Sequence, residues 1–179
     1  MVKIIDNCCS PEYLNMLKNV AITSNSWNMN YPIDREDKFL KLNIIDNRPV
    51  HPYLAGLAVG LLLQIYEASG HEFFIPECSW CGISIKDKHT EDNAHIDNSG
   101  YPSTKILGIL NTDWEEEWGG GFIANGISTY APPTSFWIFD STEPHSAAPI
   151  LINKKRIAID FAVFKDQQSL LEKDNKFNN

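Results

Sequence analysis

The sequence predicts an α+β protein in which N-terminal helices buttress a β-barrel. Three observations carry this reading. Helical periodicity dominates up to Gly70, short β-like runs replace it afterwards, and Asn125-Gly126 between two such runs signals a two-residue hairpin. Many short strands separated by turn residues indicate an antiparallel sandwich or barrel.

Taken in order, Val2 to Ile5 reads as a short strand. Ser10-Pro11 is a helix start, with Ser as cap and Pro at the first helical position. Leu14, Leu17 and Ala21 then fall on one face. Residues 25–50 are polar and read as irregular. A second helix is predicted from Pro52 through LAGLAVGLLLQIYEA to Gly70, apolar on nearly all sides and so expected to pack tightly against another layer. Predicted strands follow at CGISI (81–85), TKILGIL (104–110), GFIA and GIST around Asn125, SFWIF (135–139), SAAPILI (146–152) and RIAIDFAVF (156–164). The tail DQQSLLEKDNKFNN is polar and reads as frayed or weakly helical. The expected organisation is one domain over residues 1–179. Residues 1–75 supply mainly helical support, 76–165 the barrel core, and 166–179 the tail.

Composition bounds the partners. With 179 residues, 43% of them hydrophobic, the chain can bury a core, so disorder is excluded. Lys plus Arg is 15 against 23 for Asp plus Glu, a formal charge of −8. That balance opposes a surface built to neutralise phosphates, so neither a nucleic-acid nor a membrane partner is expected. The longest apolar stretch, Leu54 to Leu63, is far below the roughly 20 residues of a spanning helix. No secretory signal is legible at the start, and four cysteines then suggest reduced thiols in a cytoplasm.

His95-Ile96-Asp97 is the first candidate for chemistry. On a strand, residues i and i+2 point to one face, so an imidazole and a carboxylate can converge on one metal. The pair is a weak signal alone, and His89-Thr90-Glu91 offers the same geometry six residues upstream. His145, in EPHSAAP, and Arg156, eleven residues later, complete the set. Along the last strand Arg156, Ala158, Asp160 and Ala162 share one face, and Ile157, Ile159, Phe161 and Val163 the other. A long cation beside small residues suggests room for an anionic ligand. Two histidines and one carboxylate leave three adjacent positions open on an iron, as non-haem Fe(II) oxygenases require. A guanidinium deeper in the barrel then suits the distal carboxylate of a 2-oxo acid.

With these residues in place, the sequence resembles the 2-oxoglutarate/Fe(II)-dependent dioxygenases, most closely their prolyl-4-hydroxylase-like branch. The resemblance runs from about Cys81 to Phe164 and includes TKILGILNTDW, EEEWGGGF, APPTSFWIF and PHSAAPI in that order. It implies a double-stranded β-helix (a jelly-roll or cupin-like barrel). It also implies His95, Asp97 and His145 as metal ligands and catalytic centre, with Arg156 on the distal carboxylate of 2-oxoglutarate. The position of the metal motif just before TKILGILN favours His95/Asp97 over His89, whose run KDKHTEDN reads as a loop over the pocket. The sequence departs from the family pattern at Ile109, where Tyr is common, at Gly121, where Glu is common, and at Ala158, where a hydroxyl residue is common. For the second co-substrate contact, Ser84, Lys86 and Lys105 are the candidates.

Other residues are read as structural. Cys78-Ser79-Trp80-Cys81 lacks the second pair of a zinc site and the helix of a redox motif, so free thiols are expected. His51 and His71 flank the second helix. Trp137 is expected in the core, whereas Trp114 and Trp118 are candidates for a substrate entrance. The resulting expectation is an Fe(II)-, 2-oxoglutarate- and O2-dependent hydroxylase of a peptidyl or small-molecule substrate, prolyl included, that releases succinate and CO2. Its rivals are a non-catalytic metal- or 2-oxo-acid-binding barrel and a cupin-like metalloenzyme without 2-oxoglutarate.

Overall fold

The computed structural model describes residues 2–30, 39–73, 78–97, 103–169 and 171. The elements are β1 (Lys3–Ile5), α1 (Pro11–Ile22), β2 (Asn28–Asn30), β3 (Phe39–Asp46), α2 (Pro52–Ala68), β4 (Cys78–Lys86), β5 (Ser103–Ile109), a short 3-10 turn (Glu116–Trp118), β6 (Phe122–Ala124), β7 (Ile127–Thr129), β8 (Phe136–Asp140), β9 (His145–Ala147) and β10 (Arg156–Phe164). A seven-stranded sheet has the order β1-β8-β5-β10-β4-β3-β2, and a three-stranded sheet the order β7-β6-β9. Every described strand pair is antiparallel.

Helix α1 starts where Ser10 accepts a hydrogen bond from Tyr13 N, with Pro11 at the first helical position. Leu14, Leu17 and Ala21 are its buried face. They join Leu54, Ala58, Leu61 and Ile65 of α2 and Leu42, Ile83, Ile106, Phe136 and Phe161 of the large sheet in one apolar cluster. Helix α2 is less enclosed than its composition predicts. Tyr53, Val59 and Leu63 stay exposed, because α1 and the sheet cover only one side. A second cluster fills the space between the sheets, built on Ile109, Phe122, Trp137 and Phe139. Trp137 is fully buried there, as expected from the sequence.

Two elements differ from the sequence reading. Residues 39–46, expected to be irregular, form the eight-residue strand β3, with Leu40, Leu42 and Ile44 alternating against Lys41 and Asn43 and a bulge between Asn43 and Ile45. The N-terminal third therefore contributes strands to the main sheet as well as helices. The run predicted as one strand over 146–152 supports only β9, because Pro149 cannot donate to a ladder. Beyond it, Ile150 makes an isolated bridge to Gly119. Residues 172–179 of the predicted tail lie outside the described residues.

Candidate active site

The large sheet is two-faced, and β10 shows why. Ile159, Phe161 and Val163 are buried on the helix side, with Ile157 packed against the same cluster. The alternate residues Arg156 and Asp160 line a cavity of about 120 Å3 on the opposite face, together with Ser84 and Lys86 of β4 and with His95, Asp97 and His145.

His95 lies outside the named strands but forms a β-bridge with the first residue of β9. His95 N donates to His145 O at 2.9 Å, and His145 N donates to His95 O at 2.8 Å. This reciprocal pair sets the imidazoles side by side, with ring centroids 4.5 Å apart. Two residues on, Asp97 N donates to Ser141 O at 3.0 Å, which keeps the segment extended and returns the carboxylate to the histidine face. Ile96 between them points to solvent. One donor atom from each of His95, Asp97 and His145 falls within 4.8 Å of the others.

The imidazole tautomers suit a metal. Nδ1 of His95 is 2.8 Å from Asn93 O, and Nδ1 of His145 is 2.8 Å from Glu143 O. A carbonyl oxygen only accepts, so each Nδ1 carries the proton and each Nε2 presents a lone pair. Those Nε2 atoms face Asp97, at 3.8 Å for His95 and 3.6 Å for His145. Phe122 stacks on the His145 ring and Phe139 packs at its side, which fixes its plane. Burial lowers the His145 pKa, although Asp97 opposes that shift. Burial alone would raise the Asp97 pKa, but Lys105, His145 and His95 together hold it below the usual carboxylate value.

Arg156 opens β10 opposite Lys86 and is only 3% exposed. Its Nε and Nη2 have no hydrogen-bond partner among the described residues. Burial pushes its pKa down to about 10, with Asp92 acting the other way, so it remains a cation at neutral pH. A buried charge with open donors is costly unless a ligand meets it, and an anion is the matching chemistry. Asp92 instead holds Lys86 Nζ at 2.6 Å and accepts from Ala147 N at 2.8 Å, tying β4 to β9 beside the cavity. Nothing in the sequence patterns singled out Asp92, since its function depends on strands that meet only in the fold.

The remaining sequence candidates separate clearly. Ser84 and Lys86 border the cavity, whereas Lys105 Nζ is committed to Asp160 at 2.7 Å and Asp97 at 3.1 Å. His89 and Glu91 are exposed on the loop after β4 and do not border the cavity. Trp114 is buried, donating to Gly119 O at 2.9 Å, and Trp118 sits under Lys154 with 3.5 Å from Nζ to the ring. Neither borders the cavity. All four cysteines are free, and burial raises the pKa of each.

No family model matches the sequence, and no curated protein matches it. Solved structures do. A Pseudomonas putida prolyl-4-hydroxylase superposes with a TM-score of 0.65 at 15% identity, covering 92% of each chain. The chain has the fold of the prolyl 4-hydroxylases and 2OG-Fe(II) oxygenases. A Burkholderia pseudomallei oxidoreductase of the 2OG-Fe(II) oxygenase family gives a TM-score of 0.71 at 11% identity, covering 92% of this chain and 85% of the other. A Trichoplax adhaerens prolyl hydroxylase, solved with a hypoxia-inducible-factor peptide fragment, gives 0.64 at 18% identity, covering 95% and 86%. The oxygenase fold thus extends over nearly the whole chain, including the N-terminal segment that carries α1, β3 and α2.

Proposed function

We propose that this protein is an Fe(II)- and 2-oxoglutarate-dependent oxygenase, its two sheets forming the double-stranded β-helix of such enzymes. The observation that carries the reading is one cavity that holds both a two-histidine, one-carboxylate cluster and a buried arginine with open donors. The first is the ligand set of non-haem iron oxygenases, and the second fits the far carboxylate of a 2-oxo diacid.

When held by these residues, iron and 2-oxoglutarate would supply the O2 activation, with succinate, CO2 and a hydroxylated substrate as the products. The chain does the rest. His95 and His145 offer Nε2 because their Nδ1 protons are held by backbone carbonyls, and Asp97 offers an ionised carboxylate. Arg156 anchors the co-substrate from the first residue of β10, and Ser84 is the candidate second contact. Phe122 and Phe139 pack around His145 and help to exclude water from this side of the cavity. The peptide complex of the Trichoplax neighbour supports a peptidyl substrate, and prolyl peptides are the first to test, with small molecules as the second class. The four free thiols support a reducing, cytoplasmic setting.

The test is anaerobic addition of Fe(II) and 2-oxoglutarate, read by the weak visible charge-transfer band, followed by oxygen and a succinate assay. Both signals are expected, and His95→Ala or Asp97→Ala should abolish them. Arg156→Ala should weaken 2-oxoglutarate binding while iron is retained. A band without succinate would favour a binding module. Bound metal with no band would favour a cupin-like enzyme that uses no 2-oxo acid.

A further inference from the structure

Lys105 is an unusual residue for its position. It lies in the middle of β5, paired with Ala162 of β10 and Phe139 of β8, and is only 5% exposed. A lysine this enclosed persists only where its charge is met. Here two carboxylates meet it from two different elements. Nζ is 2.7 Å from Asp160 Oδ2, on the cavity face of β10, and 3.1 Å from Asp97 Oδ2, on the segment bridged to β9. The Trp80 ring closes the site with its centroid 4.8 Å from Nζ, and that ring lies against Gly82, where a Cβ would meet it at 2.6 Å.

The two oxygens of Asp97 consequently have different neighbours. Oδ2 receives the ammonium and lies 3.6 Å from His145 Nε2, whereas Oδ1 lies 3.8 Å from His95 Nε2. The segment that carries Asp97 lies outside the named strands. It meets the β8–β9 region through the reciprocal His95–His145 backbone pair, the Asp97 N to Ser141 O bond and the Ala147 N to Asp92 bond, none of which holds the Asp97 carboxylate. Lys105 is the side chain that ties this carboxylate to the rigid sheet, and Asp160 holds Lys105 in turn.

Resting on the metal-site reading above, we propose that Lys105 is a positioning residue for Asp97. It fixes the carboxylate plane through Oδ2, so that Oδ1 is the oxygen directed to the metal, and it uses Asp160 as its own anchor. Its ammonium is then occupied by protein carboxylates and does not serve as a co-substrate contact.

Cobalt(II), titrated into the metal-free full chain and followed by its visible d–d absorption, tests this directly. Wild type should bind, and His95→Ala should not. Lys105→Met should bind about 10- to 100-fold more weakly, the usual effect of losing a partner behind a metal ligand. Its d–d spectrum should also be altered, which a merely structural lysine would not cause. A single substitution leaves Asp160, half-buried at the cavity wall, without its cation and can cost folding. The double variant Lys105→Met/Asp160→Leu removes the pair as a unit, a change that folds often tolerate. It should show the same weakened binding and altered spectrum. Cobalt affinity within twofold of wild type and an unchanged spectrum in whichever of these variants folds would overturn the positioning role. No cobalt signal in wild type, or one that survives His95→Ala, would instead overturn the metal site itself and this inference with it.

Discussion

At Gly120 the backbone runs with φ +72°, and a Cβ there would stand 2.8 Å from Arg156 Cδ and 3.4 Å from its Nε. Gly120→Ala therefore combines a strained left-handed conformation with a collision against Arg156, the proposed co-substrate anchor. The expected outcome is weaker 2-oxoglutarate binding, read as a raised KM for 2-oxoglutarate, with cobalt affinity unchanged. The thiols make a contrasting case at the same scale. Burial raises Cys78 to about 12 and Cys81 well above its ordinary value. Nucleophilic attack requires the thiolate, so alkylation of the native protein at pH 8 should be slower than for a free thiol by about two orders of magnitude or more. Denaturant should remove the difference, and peptide mapping of the labelled sites checks it.

Among the elements, the turn between β8 and β9 delivers His145 and is held by Asp140. That carboxylate accepts from Thr142 N at 3.0 Å and from Thr142 Oγ1 at 2.7 Å, and pairs with Lys165 Nζ at 2.9 Å. Although burial acts to raise its pKa, the Thr142 hydrogen bonds and Lys165 lower it to about 2. A depressed folded pKa stabilises the protein above the unfolded value near 3.8, and the contribution is lost as pH falls towards 2. Denaturation midpoints of wild type and Asp140→Asn should thus differ at pH 6 and converge only as pH falls from about 4 towards 2. Solvent screening at this exposed turn keeps the difference small.

Element boundaries were legible where local chemistry decides them. Ser10-Pro11 marks the start of α1, Asn125-Gly126 marks the β6–β7 turn, and the strict alternation of RIAIDFAVF marks β10 and both its faces. Strand β3 was missed although Leu40, Leu42 and Ile44 alternate, because polar residues and prolines surround it and a bulge breaks its period. The opposite error occurred after His145, where apolar content suggested a long strand that Pro149 forbids.

On the scale of the whole molecule, the large sheet divides two environments, helices on one face and the cavity on the other. Phe161, fully buried, faces the helices from the same strand that presents Arg156 and Asp160 to the cavity. Phe161→Ala should lower stability by about 3–5 kcal/mol, as large-to-small changes in a packed core do. Denaturant unfolding measures that loss, and cobalt binding by the folded fraction should survive it, since the cavity side chains point away from the deletion. The net charge of −8 is compatible with a cationic side chain in the cavity, because it sums charges over the whole chain and says nothing of where Arg156 lies.

The sequence by itself determined the residue types and order of the candidate site, His95, Asp97, His145 and Arg156, and the faces of α1 and β10. Those are properties of spacing, which local periodicity expresses. Only the tertiary structure decided that His95 and His145 pair through reciprocal backbone bonds, that Lys105 reaches Asp97 and Asp160, and that Asp92 joins β4 to β9. Each of these contacts joins segments 40 or more residues apart or crosses between strands, except the short reach from Lys105 to Asp97. Hydrogen-bond and ion-pair partners of that kind are set by strand register and sheet closure, which no local pattern encodes.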